Sequence, residues 1–354
     1  MQNAPVQANQ TPGPAVPDTP QPQPPTRSWR RRHRILAGLL VLAALIVLGL
    51  GGYLANLNRI LTGNLRLEDL LPKTAATASD GSVIAVPPRA ASAKNALNVL
   101  IIGTDTRTPN DQGRSDVIMV AHISDDRQHV SLVHVPRDLY VSVPGHGKDK
   151  VNAAYWYGGI TLLVLTLQRL LDVPFDHVAV IDFEGFRDMT DSIGGVDVTV
   201  AEASPGFPVG VMHMNGEQAL VFVRERHSLS QGDISRGQRQ QAFIKAVLLK
   251  GLSEEVLLNP VRFSSFVDAA TRNLVVDRSL DAAAIRELAF ALRGIRPDSV
   301  AFFTAPWTGV GTTPSGASIV KPSEPQFAVL SAALKGDTMQ TYTDPVSPRS
   351  GFGH

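Results

Sequence analysis

The sequence of 354 residues contains no cysteine. That excludes disulfides, thiolate nucleophiles, zinc–thiolate centres and iron–sulfur clusters. It has almost no net charge, +1 at pH 7, which argues against coating nucleic acid by bulk electrostatics. There is no Gly-x-Ser-x-Gly elbow and no His-Glu-x-x-His pattern, so the common serine hydrolase and zinc protease signatures are missing. No repeat marks a solenoid. Acidic residues are absent between Asp18 and Glu68, and charged residues of either sign between Ile35 and Leu57. What remains is an apolar share of 44%, ample for a buried core.

These gaps divide the chain. Eight of the 25 prolines fall in the first 25 residues, a composition that builds no core. The basic cluster Arg27-Ser-Trp-Arg-Arg-Arg-His-Arg34 follows, and then the charge-free run. About 20 such residues cross a bilayer as one helix. Arginines abutting a span orient it with that end in the cytoplasm. The run is long for a signal peptide's apolar region and no small-x-small cleavage site follows it. The expected layout is a cytoplasmic tail over 1–34, an uncleaved transmembrane helix over 35–57, a connector over 58–96 and an extracytoplasmic body. Within the body, 97–252 reads as a catalytic domain, 253–335 as further packing elements and 336–354 as a flexible tail.

The body alternates strands and helices. Short apolar runs predict strands at Asn98–Gly103, Val117–Ile123, His129–Val135, His177–Ile181, Val196–Val200, Leu274–Val276 and Val300–Thr304. Helices are expected at Thr161–Leu171, Phe183–Ile193, from the Asn215-Gly216 turn to near Arg224, and at Asp233–Lys250, Pro260–Ala270 and Ser279–Leu292. That alternation defines an α/β fold with a layered sheet. Gly145-His146-Gly147-Lys148 lacks phosphate-loop spacing and reads as a turn.

Arginine and aspartate recur where strands end: Asp105 and Arg107, Arg114 and Asp116, Arg137 and Asp138. Ligands of open α/β sheets collect outside the carboxyl ends of strands. On the helix from Asp233, Arg236 and Gln240 share an arc of about 60° with Asp233, and Phe243 and Val247 continue that face. A face that is apolar further along turns inward, so its arginine needs an anion or a carboxylate. The plainer reading makes Asp233 an N-cap with Arg236 its partner. Arg224 and Arg226 flank Glu225 and face one way if the stretch is extended. Convergent arginines with two carboxylates suit a diphosphate: guanidinium forks grip phosphate oxygens, and Asp105 and Asp116 suit Mg²⁺. Either aspartate could serve as base.

The runs Val99–Arg107, Arg114-Ser-Asp-Val-Ile118, Val133-His-Val-Pro-Arg-Asp138, Lys150-Val-Asn-Ala-Ala-Tyr155, Ile193-Gly-Gly-Val-Asp197, Asn215-Gly-Glu-Gln-Ala-Leu220, Val223-Arg-Glu-Arg226, Asp233-Ile-Ser-Arg236 and Arg239-Gln-Gln241 together resemble the LytR-CpsA-Psr family. The resemblance spans about Asn98 to Leu249. It implies an α-β-α sandwich with a tunnel for lipid, held by one N-terminal transmembrane helix in a type II orientation. The implied activity is phosphotransfer of a glycopolymer from a polyprenyl diphosphate carrier to peptidoglycan, forming a phosphodiester at a muramic acid hydroxyl. By matching motif, Asp105 and Asp116 would bind Mg²⁺ (or Mn²⁺). Arg114, Arg137, Arg224, Arg226, Arg236 and Gln240 would surround the diphosphate, and Asp233 would orient the arginines. Asp105, Asp116, Arg137 and Asp233 form the expected catalytic set. Arabinogalactan and teichoic or teichuronic polymers are compatible cargoes. The competing classes are a polyprenyl or nucleotide diphosphate hydrolase using the same site and a non-catalytic lipid- or glycan-binding wall protein.

Overall fold

A computed structural model describes residues 27–72, 75–77, 81, 83–104, 115–230, 232–343 and 345, with backbone alone at 27–35, 75–77, 83, 116, 183, 233, 234 and 297. The chain divides into two units, Met1–Tyr53 and Leu54–His354. Helix α1 (Arg27–Asn64) supplies the described part of the first unit and enters the second. Its stretch Leu36–Asn64, with a mean hydropathy of 2.3, is long and apolar enough to cross a membrane.

The second unit is built on a seven-stranded sheet. Its strands are β1 (Arg66–Glu68), β2 (Leu97–Thr104), β3 (Ser115–Ile123), β4 (Val130–His134), β5 (His177–Asp182), β6 (Leu274–Asp277) and β7 (Val300–Thr304), in the spatial order β1-β6-β5-β2-β3-β4-β7. β2 pairs antiparallel with β3 and parallel with β5. Successive side chains on a strand face opposite ways, and both faces here are apolar. Leu100, Ile102, Ile118, Val120 and Val133 enter one core, whereas Val99, Val117, Met119, Ala121 and Leu132 enter the other. Strands buried on both sides explain the near-continuous hydrophobic runs.

The first core is covered by α2 (Val151–Leu171) and α8 (Glu324–Gly336). The second lies under α3 (Phe183–Ser192), α4 (Gly216–Arg224), α5 (Asp233–Gly251) and α6 (Pro260–Arg272). α7 (Ala282–Ala291) packs at its margin through Leu288. The architecture is the expected α-β-α sandwich.

Several boundaries differ from the sequence reading. α2 begins ten residues before Thr161, at Val151. Gly158 and Gly159 leave helical geometry inside it, with φ of −148° and 64°, and this break hides the helical period of its first turns. Asn215-Gly216 is a helix cap rather than a free turn: the Asn215 side chain accepts from Gln218 N at 2.9 Å, and Gln218 Oε1 accepts from Asn215 N at 3.1 Å. The sheet also takes β1 from the stretch read as a connector. Hairpins form at Tyr140–Val143 with Gly147–Lys150, and at Trp307–Thr312 with Ser318–Pro322. The first makes Gly145-His146-Gly147-Lys148 the turn foreseen for it. The chain read as a flexible tail is packed well beyond Lys335. Met339 is buried in the first core, and Asp337 Oδ1 lies 2.9 Å from Nε2 of buried His122.

Candidate active site

The site grows from the end of the sheet where β2 stops. Thr104, just before Asp105, pairs with Ser115, just before Asp116. Gly103 pairs with Val117, so one step along β2 corresponds to two along β3. Asp116 is thus the extra residue of a β-bulge, a device that redirects a side chain beside a site. Gly103 is required there, since a Cβ would meet Val117 Cβ at 2.8 Å. Ser115 Oγ is buried without a hydrogen-bond partner among the described residues. A buried orphan hydroxyl beside such a bulge suits a pocket for a polar or ionic occupant, and carboxylate oxygens, the donor type an aspartate offers, are hard Mg²⁺ ligands.

β4 delivers the next groups. Val135 N bonds Ile118 O at 2.9 Å, which carries the following loop across the same sheet end. Arg137 Nε lies 3.5 Å from Asp138 Oδ2, and Lys150 Nζ lies 2.9 Å from Asp138 Oδ1. Asn152 N donates to Arg137 O at 3.1 Å, tying this cluster to the start of α2. All three side chains are largely buried, with 14%, 14% and 26% exposure. Asp138 is thereby a bridge holding two cations together, and Lys150 joins the site although only its motif, not its role, was visible in the sequence.

From the opposite layer comes α5. Gly232, at φ 52°, caps it without a side-chain bond, so Asp233 is the first helical residue and not the N-cap. The first turn lies against β4, with His134 Cε1 3.8 Å from the position of a Cβ on Gly237. Arg236 is half-buried, and Gln240 is 4% exposed with Nε2 3.4 Å from Val223 O. Arg239 is more deeply placed than Arg236, at 5% exposure. Its Nη2 donates to Glu202 O at 2.8 Å and Ser204 Oγ at 2.9 Å, and its guanidinium stacks 4.5 Å over Phe222. Burial pushes it below the usual arginine range, opposed by Glu202 and Glu225. The Glu202 carboxylate accepts from Ser230 N and from Ser235 Oγ (the latter at 2.7 Å), which holds it below the usual range and locks the 202–204 loop to α5. Arg239 was not singled out from sequence. Its run, Arg239-Gln-Gln241, was the available signal.

Beneath α5, a small cleft is lined by Met119, Leu132, His134, Gln241, Lys245 and Phe302 among others. Complete burial pushes His134 down to about 4, so its imidazole is neutral near pH 7, and Nδ1 has no partner.

The structure therefore places Arg137 just beyond β4 and Arg236 beside Gly237, which lies against the last residue of β4, His134, with Gln240 one turn further along α5. Arg224, the last residue of α4, and Arg226 lie exposed close by in sequence to Val223, which accepts from Gln240. Asp116 and Asp233 are placed by backbone alone, while Asp105, Arg107 and Arg114 fall outside the described residues. Among the described residues no trio of His, Asp or Glu forms a metal cluster. Arginines beyond a strand end and on the helix packed against that strand are the donor type that suits a diphosphate ester.

The chain thus joins a layered α/β unit, with Arg137 and Lys150 bridged by Asp138 beyond a strand end, to an N-terminal helix long and apolar enough to cross a membrane. Residues 67–336 match the model of the LytR_cpsA_psr family, and the chain belongs to that family. It is similar to polyisoprenyl-teichoic acid–peptidoglycan teichoic acid transferases TagU. The one from Bacillus cereus is 32% identical over 228 residues, 63% of this chain and 73% of that protein. The one from Bacillus mycoides is also 32% identical, over 71% of this chain and 82% of that protein. Among solved structures, TagT bound to LI-WTA superposes with a TM-score of 0.55 at 28% identity, covering 71% of this chain and 94% of TagT. Bacillus subtilis TagV shares the fold with a TM-score of 0.58 at 24% identity, over 71% of this chain and 99% of TagV.

Proposed function

We propose that this chain is a membrane-anchored phosphotransferase. It moves a glycopolymer from a polyprenyl diphosphate carrier to a peptidoglycan hydroxyl. The observation that carries the reading is the approach of α5, bearing Arg236 and Gln240, to the sheet end that bears Arg137, in a chain related to the TagU transferases. The acceptor oxygen attacks the glycan-side phosphorus, and the bridging P–O bond breaks. Polyprenyl monophosphate leaves with the bond's electron pair, and a phosphodiester joins glycan to wall. The hydroxyl proton passes to a carboxylate, for which Asp105 and Asp116 are the nearest in the chain to the bulge.

Arg137, Arg224, Arg226, Arg236 and Gln240 grip the non-reacting oxygens, and Arg114 adds to them from the β2–β3 connection. Such donors are most effective on charge that builds up in the transition state. Asp138 keeps Arg137 and Lys150 apart from each other's repulsion. Mg²⁺ would be held by Asp105 and Asp116 and would offset phosphate charge. Asp233, opening α5, orients the arginines. The basic cluster that opens α1, ahead of its charge-free run, favours a cytoplasmic N-terminus and an extracytoplasmic body. The donor is a polyisoprenyl-linked teichoic-type polymer, as the relatives' names suggest, with arabinogalactan the second cargo to offer.

The test supplies polyprenyl-diphosphate glycan and peptidoglycan oligomers to the full chain in lipid nanodiscs, with and without Mg²⁺. Polymer transfer that disappears in Arg236→Ala while the fold persists supports the assignment. Transfer undiminished in both Arg236→Ala and Arg137→Ala overturns it. Release of free glycan phosphate without attachment identifies a hydrolase instead.

A further inference from the structure

α7 carries a stripe that the site does not use. Arg286 and Phe290 stand at i and i+4, so they share one face, Arg293 lies in the turn that follows the helix, and all three are exposed. Phe290 is 69% exposed, and the Arg293 guanidinium lies 4.2 Å from its ring centroid. Arg296 follows, donating to Arg293 O at 3.2 Å. Glu287 is the one acidic residue of this helix. A lone exposed phenylalanine needs no explanation. This one sits on a helix that bonds α1 through Arg286, with Arg293 and Arg296 in the segment just after it.

The tie is specific. Arg286 Nη1 donates to the Asn58 side chain on α1. Asn58 is the residue after the charge-free run that ends at Leu57. That run of 23 residues is about 35 Å long as a helix, against about 30 Å for a bilayer's hydrocarbon core. Its final residue therefore stands at the lipid headgroups, and so does any group bonded to its neighbour. α7 enters from beside β1, where Arg278 Nε bonds Asp69 Oδ1 at 2.8 Å. It reaches Asn58 at Arg286, Phe290 is one turn further along, and Arg293 follows just past the helix end.

We propose that Arg286 and Phe290 on α7, with Arg293 and Arg296 in the segment that follows it, form a second membrane contact, docking on anionic phospholipid headgroups beside the α1 anchor. A phenylalanine on a basic surface buries its ring at the headgroup–acyl boundary, and arginine stems lie along it with their charges at the phosphates. The charge is complementary to an anionic leaflet. Docking at two points fixes the rotation of the body about its anchor. It thereby sets the height at which the sheet-end site meets a lipid-linked substrate. The inference rests on the reading of α1 as a membrane span.

The absence of cysteine makes the test clean. Ala289→Cys, on the exposed side of α7, and Val329→Cys, exposed on α8, each receive a nitrobenzoxadiazole label in the full chain. The chain is placed in nanodiscs of phosphatidylcholine with or without phosphatidylglycerol, doped with headgroup-proximal doxyl lipid. Retention of the chain in discs after an alkaline wash is measured first, and its loss overturns both the anchor reading and this one. With the chain retained, the expected result is quenching at 289 at least ~2-fold above that at 329, rising with phosphatidylglycerol and falling in Arg286→Gln/Arg293→Gln. Equal quenching at the two positions in both kinds of disc overturns the docking face alone. A signal at 289 that depends only on two copies sharing a disc also overturns it, assigning the face to self-association.

Discussion

The helices α2 and α5 lie on opposite faces of the same sheet and bury their sides in opposite ways. α2 fills its core with Leu163, Val164, Leu167 and Leu171, each fully buried. α5 buries Ser235, Arg239, Gln240 and Gln241 before it turns apolar at Phe243, Ile244 and Val247. Polar groups cost free energy to bury unless they are satisfied. α5 meets that cost with contacts outside itself: Glu202 for Ser235 and Arg239, Val223 O for Gln240, Thr304 Oγ1 for Gln241. One helix contributes stability. The other gives up part of its apolar contribution to carry cationic and amide groups to a site.

This contrast can be broken by experiment. The largest effect is expected in Arg236→Ala, with transfer falling about 10²–10³-fold at nearly unchanged melting temperature, read by polymer attachment and calorimetry. In α2 the pattern should invert. Leu167→Ala is expected to cost about 3 kcal/mol in denaturant unfolding while the folded fraction keeps its transfer rate. The cleft under α5 should give the protein an acid limit. Unfolded histidine takes up a proton near pH 6.5, whereas buried His134 does so only at about 4. The unfolded chain therefore binds the extra proton as pH falls through that window, and stability drops by about 3 kcal/mol across it. His134→Leu should flatten that part of a melting-temperature profile, and an unchanged profile would show that another group controls it. The smallest effect belongs to Arg239→Met. Because Nε and Nη1 of Arg239 have no hydrogen-bond partners among the described residues, a flexible apolar side chain of similar length should change stability by only about 1 kcal/mol. Limited proteolysis should nonetheless cut the loop at 202–204 faster.

Legibility followed how many neighbours each element has. Val196–Val200 and Val300–Thr304 form strands at the bounds their apolar runs indicate. The apolar stretch of α2 was visible, but its first turns were not, because Gly158 and Gly159 interrupt the period and Trp156 and Tyr157 remain exposed. On α5 the inward turn of Gln240, Phe243 and Val247 could be derived from spacing alone. The buried arc is wider than that spacing suggests, about 240° from Ser235 round to Gln241. Arg239 falls inside it because α5 is enclosed by a loop on one side and the sheet on the other, and a helical period reports only one partner. α8 and the two outlying hairpins escaped notice because short mixed segments carry no strong period. The joint recurrence of arginine and aspartate at strand ends did point to the sheet end where Arg137 is found. Lys150 could not be chosen from sequence, since its place depends on Asp138 and on the hairpin that returns to it.

The bond between His122 and Asp337 has a consequence for how the molecule is made. His122 sits near the end of the interior strand β3, held on one side by Asn98 Oδ1 at 2.8 Å and on the other by Asp337, the residue that follows α8. The same aspartate accepts from Asp125 N at 3.0 Å. A chain still being synthesised reaches these positions more than two hundred residues before it produces the carboxylate that completes them. Until then a buried imidazole and a turn are left open, and β4 also waits for its edge partner β7. Assembly order is thus written into the connectivity: the body closes last at its C-terminal helix, and a chain shortened before Asp337 would leave its central sheet unlatched.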